Sequence, residues 1–364
     1  MKTLTVGGAM IDTIAVIANE RIERMTMRNA DTSFLLVEEG RKNEAEDIST
    51  HCGGGAVNAA VALARLGHDV AALIKLGQDA RAEAILSRLA EEGVSTRYAV
   101  RDARQPTGAS VLVSAHDRNA AVFTFRGANT LLEPTDLKTD AFAADLVYVS
   151  SLSNESADCF PQIVERAKTA GALVATNPGI RQLSARQGPF RDVIGKIDIL
   201  AVNRHEAGAL VPWLIAHAGE GGRLLEPRHG EAMPDLARRG LVAGGFELSL
   251  AGFFAGLHKL GPRWVVVTDG RDGAYVSAPT GILHCPAPAV TVAGTAGAGD
   301  AFSSTFAGSI AEADSAESAA IAAAANAAAV LGHIDTQTGL LRRNDMASRI
   351  SVLKSSLKIT KWTV

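Results

Sequence analysis

Short apolar runs alternate with segments of helical period through most of the chain. The runs at residues 4–8, 70–76, 146–150, 173–177, 197–202 and 264–268 have strand length and are largely apolar without a strict alternation, as strands buried on both faces of a parallel sheet are. Between them, residues 58–66, 79–92, 157–170 and 250–260 repeat apolar side chains every three to four positions. Two more helical stretches follow residue 300, at 301–312 and the alanine-rich 316–331. Strand and helix in alternation predict a doubly wound α/β domain with a mostly parallel sheet covered on both faces.

Two stretches break the alternation. Residues 13–51 and 97–126 instead carry short alternating runs, at 33–37, 109–114 and 120–125, with the polar turn His116-Asp117-Arg118-Asn119 between the last two. These read as hairpins forming a small antiparallel β-sheet over one edge of the large domain, a lid. The large domain then comprises residues 1–12, 52–96 and 127–364. Within it, residues 211–247 combine weak periodicity with several prolines and glycines and read as a long surface insertion.

Composition narrows the possibilities. The 364 residues hold 36 Lys and Arg against 39 Asp and Glu, and neither sign forms a long block, so neither nucleic acid nor an anionic membrane is the expected partner. Three widely spaced cysteines without a C-x-x-C pair fit a reducing compartment, and the N-terminal apolar run is too short for a signal peptide; the expectation is a cytoplasmic protein. The apolar stretch 319–331 is too short to span a bilayer and carries Asn326. The chain has 35 glycines, where average usage of about 7% would give roughly 25. Where the surplus sits is informative.

One cluster is Gly294-Thr-Ala-Gly-Ala-Gly-Asp300 at the head of a helical stretch. Small residues there let backbone N–H groups converge at a helix N-terminus, a natural hole for a phosphate or a developing anion. Asp300 would repel a phosphate but suits taking a proton from a hydroxyl that attacks one; alternatively it caps the helix. A second cluster, Gly53-Gly-Gly-Ala-Val-Asn58, runs straight into a helix. Bare backbone and the Asn58 amide suit a polyol, or the segment is a tight turn with Asn58 as a cap. Asp12 follows a buried strand at the carboxyl end of the sheet and points to the crevice where α/β proteins bind ligands. Asn203 and Glu206 would share a helix face, with Glu206 orienting magnesium-bound waters. Thr268, Gly270 and Gly273 suit a nucleotide's phosphates and ribose, and Gly270 also suits a hairpin turn. Asn326, alone among alanines in a helix, is either a ligand-facing amide or a satisfied core amide. His205-Glu206 lacks the second histidine of a zinc motif, and no G-x-G-x-x-G joins the first strand to its helix, which argues against a nicotinamide oxidoreductase.

Together, Gly53-Gly-x-x-x-Asn58 and Gly-Ala-Gly-Asp300 resemble the two signatures of the PfkB, or ribokinase-like, family of ATP-dependent carbohydrate and nucleoside kinases. Five further segments fall in that family's order: Gly7 to Asp12, Arg126-Gly-Ala-Asn129, Asn177-Pro178, Asn203-Arg-His-Glu206 and Thr268-Asp-Gly-Arg-Asp-Gly273. The resemblance implies a Rossmann-like, ribokinase-like large domain with a β-sheet lid, and ATP and Mg²⁺ as cofactors. It implies Asp300 as general base and the amides around Gly297, Ala298 and Gly299 as the anion hole. Asp12, Gly54, Gly55 and Asn58 would bind substrate; Asn203, Thr268, Gly270, Gly273 and Asn326 the nucleotide; and Glu206 would act on magnesium through water. The family's monovalent-cation carboxylate is absent, because position 294 is Gly, so potassium activation is not expected to carry over. The expected activity is transfer of the γ-phosphoryl group to a hydroxymethyl of a sugar or sugar-like substrate, the alternatives being a nucleoside kinase of the same fold or a catalytically silent sugar-binding sensor. Pairing of two lids into a homodimer is the expected assembly.

Overall fold

The computed structural model describes residues 1–18, 23–26, 33–36, 40, 42–115, 120–219, 224–226, 233–278 and 280–363. Every apolar run named above becomes a strand of one ten-stranded sheet. Its spatial order is Thr360–Trp362, Gly281–Cys285, Ala274–Ala278, Trp264–Thr268, Ile199–Asn203, Leu173–Thr176, Leu146–Val149, Lys2–Gly7, Asp69–Leu76 and Val100–Arg101. The last seven are parallel, and the first three join through antiparallel pairings.

Strand alternation divides the core into two layers. Val147 and Val149 face the helices Phe160–Thr169, Arg204–Ala218 and Leu250–Leu260, whereas Leu146 and Tyr148 face Ala298–Ala311 and Ala316–Leu331. Burial on both faces is why these strands are largely apolar without a strict alternation. Alanines at 319, 320, 323 and 324 are buried, and their small side chains let Ala316–Leu331 lie close beneath Ala298–Ala311, the helix that carries Asp300. Among the described residues no helix is long and apolar enough to cross a membrane.

The smaller sheet has the order Ala45–Gly53, Met10–Ile17, Gly108–Ala115, Ala120–Phe125. Its outer pairings are antiparallel, as expected of hairpins, but its two central strands run parallel. A separate pair, Glu23–Thr26 with Ser33–Leu36, lies between its first two strands in sequence. The edges of this sheet differ from the sequence expectation. It starts at Met10, so Asp12 belongs to it and not to the large sheet, while Val100–Arg101 pairs with the large sheet.

The insertion also differs. Residues 211–218 complete the helix Arg204–Ala218, which continues through Pro212 with Val211, Trp213 and Leu214 buried. Helix Asp235–Arg239 and the hairpin Leu241–Ala243 with Phe246–Leu248 then bury Leu236, Ala237, Leu241 and Leu248 in the main core. Pro212 mimicked a helix end, and a helix apolar around much of its circumference shows little periodicity. Most of residues 219–232 lies outside the described residues. The helix Arg343–Ser356 and the edge strand Thr360–Trp362, absent from the sequence expectation, close the chain back onto the large sheet.

Candidate active site

The helix Ala298–Ala311 is preceded by Gly297, whose φ of 81° is the left-handed turn that aims the helix start. A Cβ on Gly297 would fall 2.7 Å from Cβ of Thr336. The first intrahelical bond runs from Ala301 N–H to the Gly297 carbonyl at 2.9 Å, so the amides of Ala298, Gly299 and Asp300 have no acceptor within the helix and face outward from its end. Beside Gly299 the space is open: a Cβ there would meet nothing within 4 Å. Asp300 is the third helical residue and does not cap the helix. Its carboxylate turns toward Asn58 instead, whose Nδ2 donates to Oδ2 at 2.8 Å.

The three glycines before Asn58 provide the floor on which two carboxylates converge. A Cβ on Gly53 would sit 2.0 Å from Oδ2 of Asp12, and one on Gly55 would sit 2.8 Å from Cβ of Ser150 and 3.4 Å from Oδ1 of Asp300. The helix Gly55–Arg65 starts immediately after Gly54, so Asn58 lies within it and is not its cap. Asn58 is buried, and its carbonyl accepts from Thr336 Oγ1 at 2.8 Å and from Gln337 Nε2 at 3.2 Å. Only its second amide hydrogen is left for a ligand. Gln337 also donates to the Cys52 carbonyl and accepts from Arg88, tying this loop to the glycine strip.

Electrostatics follow from these positions. Withdrawal from solvent holds the Asp300 carboxyl above the usual carboxylate range, the Asn58 amide pulls it back down, and the negative charge of Asp12 pushes it up. Burial likewise raises Asp12, against the opposing effects of the Ser110 hydroxyl, which donates to Oδ1, and of nearby His51. His51, Asp12 and Ser110 stand directly opposite one another on three neighbouring strands.

Asn203 and Glu206 form a reciprocal cap on the helix Arg204–Ala218. Asn203 Oδ1 accepts from Glu206 N–H, and Glu206 Oε2 accepts from Asn203 N–H, both at 2.9 Å. One Glu206 oxygen remains uncommitted by that cap. Burial first, with repulsion from Asp300 adding to it, raises Glu206 to about 7. Because the folded state favours the protonated acid, the associated stability is complete below about pH 4.5 and is lost as pH rises through about 7. Glu206→Gln keeps the cap and stays neutral. Its melting temperature, followed in metal-free buffer from pH 5 to 8, is therefore expected to gain on that of the unmodified protein as pH rises; parallel curves would remove the assignment.

Thr268 lies opposite Asn203 on the neighbouring strand end. Gly270 and Gly273 shape the tight turn that follows, in which Asp269 N–H donates to the Gly273 carbonyl at 2.8 Å, so the hairpin reading of Gly270 holds. Asn326 requires correction. It is fully buried, donates to Thr305 Oγ1 and accepts from Leu341 N–H, both at 2.8 Å, and is a satisfied core amide that does not line the cleft. Sequence reasoning missed Thr336, Gln337, Ser110 and Ser150. A polar Asp-Thr-Gln-Thr after a long alanine helix gives a loop signal and nothing more specific.

A protein-family model described as pfkB family carbohydrate kinase matches residues 23–220 and 249–343, leaving out 221–248. A deoxyribokinase of Salmonella typhi is 28% identical over 301 residues, covering 81% of this chain and 84% of its own length. A ribokinase of Staphylococcus aureus is 27% identical over 285 residues, 75% of this chain and 81% of its own. Among solved structures, Arabidopsis thaliana ribokinase complexed with ribose and ATP superposes with a TM-score of 0.72 at 22% identity, covering 96% of this chain and 98% of that one. Ribokinase from Cryptococcus neoformans in complex with ADP gives 0.69 at 20% identity, with 96% and 98% covered.

Proposed function

Because the chain belongs to the PfkB family of carbohydrate kinases and is thus a sugar phosphotransferase, we propose that it moves the γ-phosphoryl group of ATP to a hydroxymethyl of a sugar-like acceptor, with Asp300 as general base. The observation that carries this reading is the pairing of Asp300 with Asn58 at the turn where the amides of residues 298–300 face outward. In the proposed reaction the acceptor O–H proton passes to the Asp300 carboxylate. The freed oxygen bonds to the γ-phosphorus, the bond from that phosphorus to the β,γ-bridging oxygen breaks, and ADP leaves. The amides of Ala298, Gly299 and Asp300, with Gly297 shaping the turn, hold the charge on the transferring group. Asp12, the backbone of Gly54 and Gly55, and the free amide hydrogen of Asn58 grip the acceptor.

Asn203, Thr268, Gly270 and Gly273 border the nucleotide side; Asn326 is no longer part of it. Magnesium fits this site on the observation that Glu206 and Asp300 repel each other across it while one Glu206 oxygen is not used by the helix cap. Bound with ATP, it would neutralise phosphate charge, and Glu206 would hold it through water. A monovalent cation has no carboxylate at position 294, where a Cβ would stand 2.8 Å from the His333 carbonyl.

A plain sugar is favoured over a nucleoside. Val111 is paired with Phe123, and Ala109 with Phe125, one position out of phase with the row that holds Asp12 and Ser110, so both phenylalanines face away from Asp12. Phe34 lies where side chains are not described. The outer face carries exposed Ile48, Val111 and Phe123, an apolar surface that a second lid would cover in a homodimer. The three cysteines are free, in keeping with a cytoplasmic setting. Acceptor-dependent release of ADP, followed by a coupled assay over pentoses, hexoses, sugar acids and nucleosides, tests the whole reading. Activity on at least one sugar-like acceptor is expected, undiminished when potassium is replaced by a tetraalkylammonium ion. Binding of a sugar without ADP release would turn the assignment to a silent sensor.

A further inference from the structure

A groove of about 560 Å³ opens beside the lid's edge strand Ala120–Phe125 and is bordered by Gln105, Thr124, Arg126, Asn154 and Arg181. Arg126 follows that strand, and Arg181 sits in the short helix Ile180–Leu183 beyond the carboxyl end of Leu173–Thr176. Among the described residues neither guanidinium has a carboxylate partner, and the groove's described lining holds no Asp or Glu. Among the described residues the Arg126 guanidinium donates only to Ser153 Oγ, at 3.0 Å. The two cations are near enough for Arg181 to depress Arg126, in addition to the larger effect of burial. Like charges kept together without a counter-ion are costly unless an anion joins them.

The groove borders the face of the lid sheet that carries Asp12. Thr124 stands directly opposite Ser110, which stands directly opposite Asp12, so all three project from one face of the lid sheet. Two strand spacings of about 4.8 Å, roughly 10 Å in all, separate Asp12 from Thr124, a span that an extended six-carbon chain covers with its terminal oxygens and their hydrogen bonds. We infer that the acceptor carries an anionic group, a carboxylate or a phosphate, at the end remote from the reacting hydroxyl, and that Arg126 and Arg181 bind it.

This inference rests on the phosphotransfer reading above, and the test separates the two. Aldonic and 2-keto aldonic acids, pentose and hexose monophosphates, and their neutral parent sugars are compared as acceptors of the full chain. The best anionic acceptor is expected to exceed its neutral parent at least tenfold in kcat/KM, and the acid and phosphate arms identify the group. Arg181→Gln is expected to raise KM for that acceptor at least tenfold, with kcat within threefold and KM for ATP unchanged. Neutral sugars used as well as anions, or a KM within twofold in Arg181→Gln, would overturn the inference. Should no acceptor release ADP, calorimetry with the same acids and phosphates decides it: binding lost in Arg181→Gln upholds the anion site while phosphotransfer fails, and no binding to the unmodified protein overturns the site.

Discussion

Asp300→Asn is expected to lower kcat at least 100-fold while the affinity for ATP stays within about threefold. General-base catalysis contributes about 10² to 10⁴ in rate, or roughly 3 to 5 kcal/mol of barrier. The asparagine keeps the size of the side chain and the backbone amides of the helix start, so the groups proposed to hold phosphate are unchanged. What is lost is the proposed acceptor for the proton. In the unmodified enzyme kcat/KM should fall as pH drops through the Asp300 pKa, which burial holds above the ordinary carboxylate range. That acid limb should vanish in the variant. Acceptor phosphorylation at a near-unmodified rate, measured by ADP release, would remove Asp300 from the mechanism.

The second large effect concerns Asn58→Ala. Its amide is the contact that favours the ionised form of Asp300, opposing both burial and the charge of Asp12. Without that donor the Asp300 pKa rises further, so the acid limb of kcat/KM should move to higher pH, with activity lost wherever the base is mostly protonated. The Thr336 hydroxyl and the Gln337 amide also lose their shared acceptor. Leaving buried polar groups unpaired costs about 1 to 3 kcal/mol, which denaturant unfolding would read. A purely structural role predicts the stability loss with an unmoved pH profile; the two measurements together distinguish the cases.

Much of this arrangement was legible in the chain. Buried parallel strands announce themselves because both faces are covered, and the glycine clusters did mark the places where side chains from elsewhere approach backbone. Glycine reports that space is needed without naming what fills it. Hence Gly53 and Gly55 pointed to a ligand floor, yet nothing in the local sequence identified Asp12 and Ser150 as the side chains crowding them. Asn326 failed in the opposite sense: a lone amide in an alanine helix satisfies itself on Thr305 and Leu341, residues 21 and 15 positions away, a closure that periodicity cannot register. The insertion reading failed at its start because the helix Arg204–Ala218 runs on through Pro212, with Val211, Trp213 and Leu214 buried around it.

Asp12 stands on the smaller sheet, whereas Asn58 and Asp300 stand on helices packed against the large one. An acceptor held by both sets would therefore be a strut between two bodies and not cargo in one of them. Its own binding energy would set the angle of the cover, so a water molecule, too short to reach across, could not recruit the closed geometry on its own behalf. Selection against hydrolysis would then be a matter of span, with molecular length acting as the key.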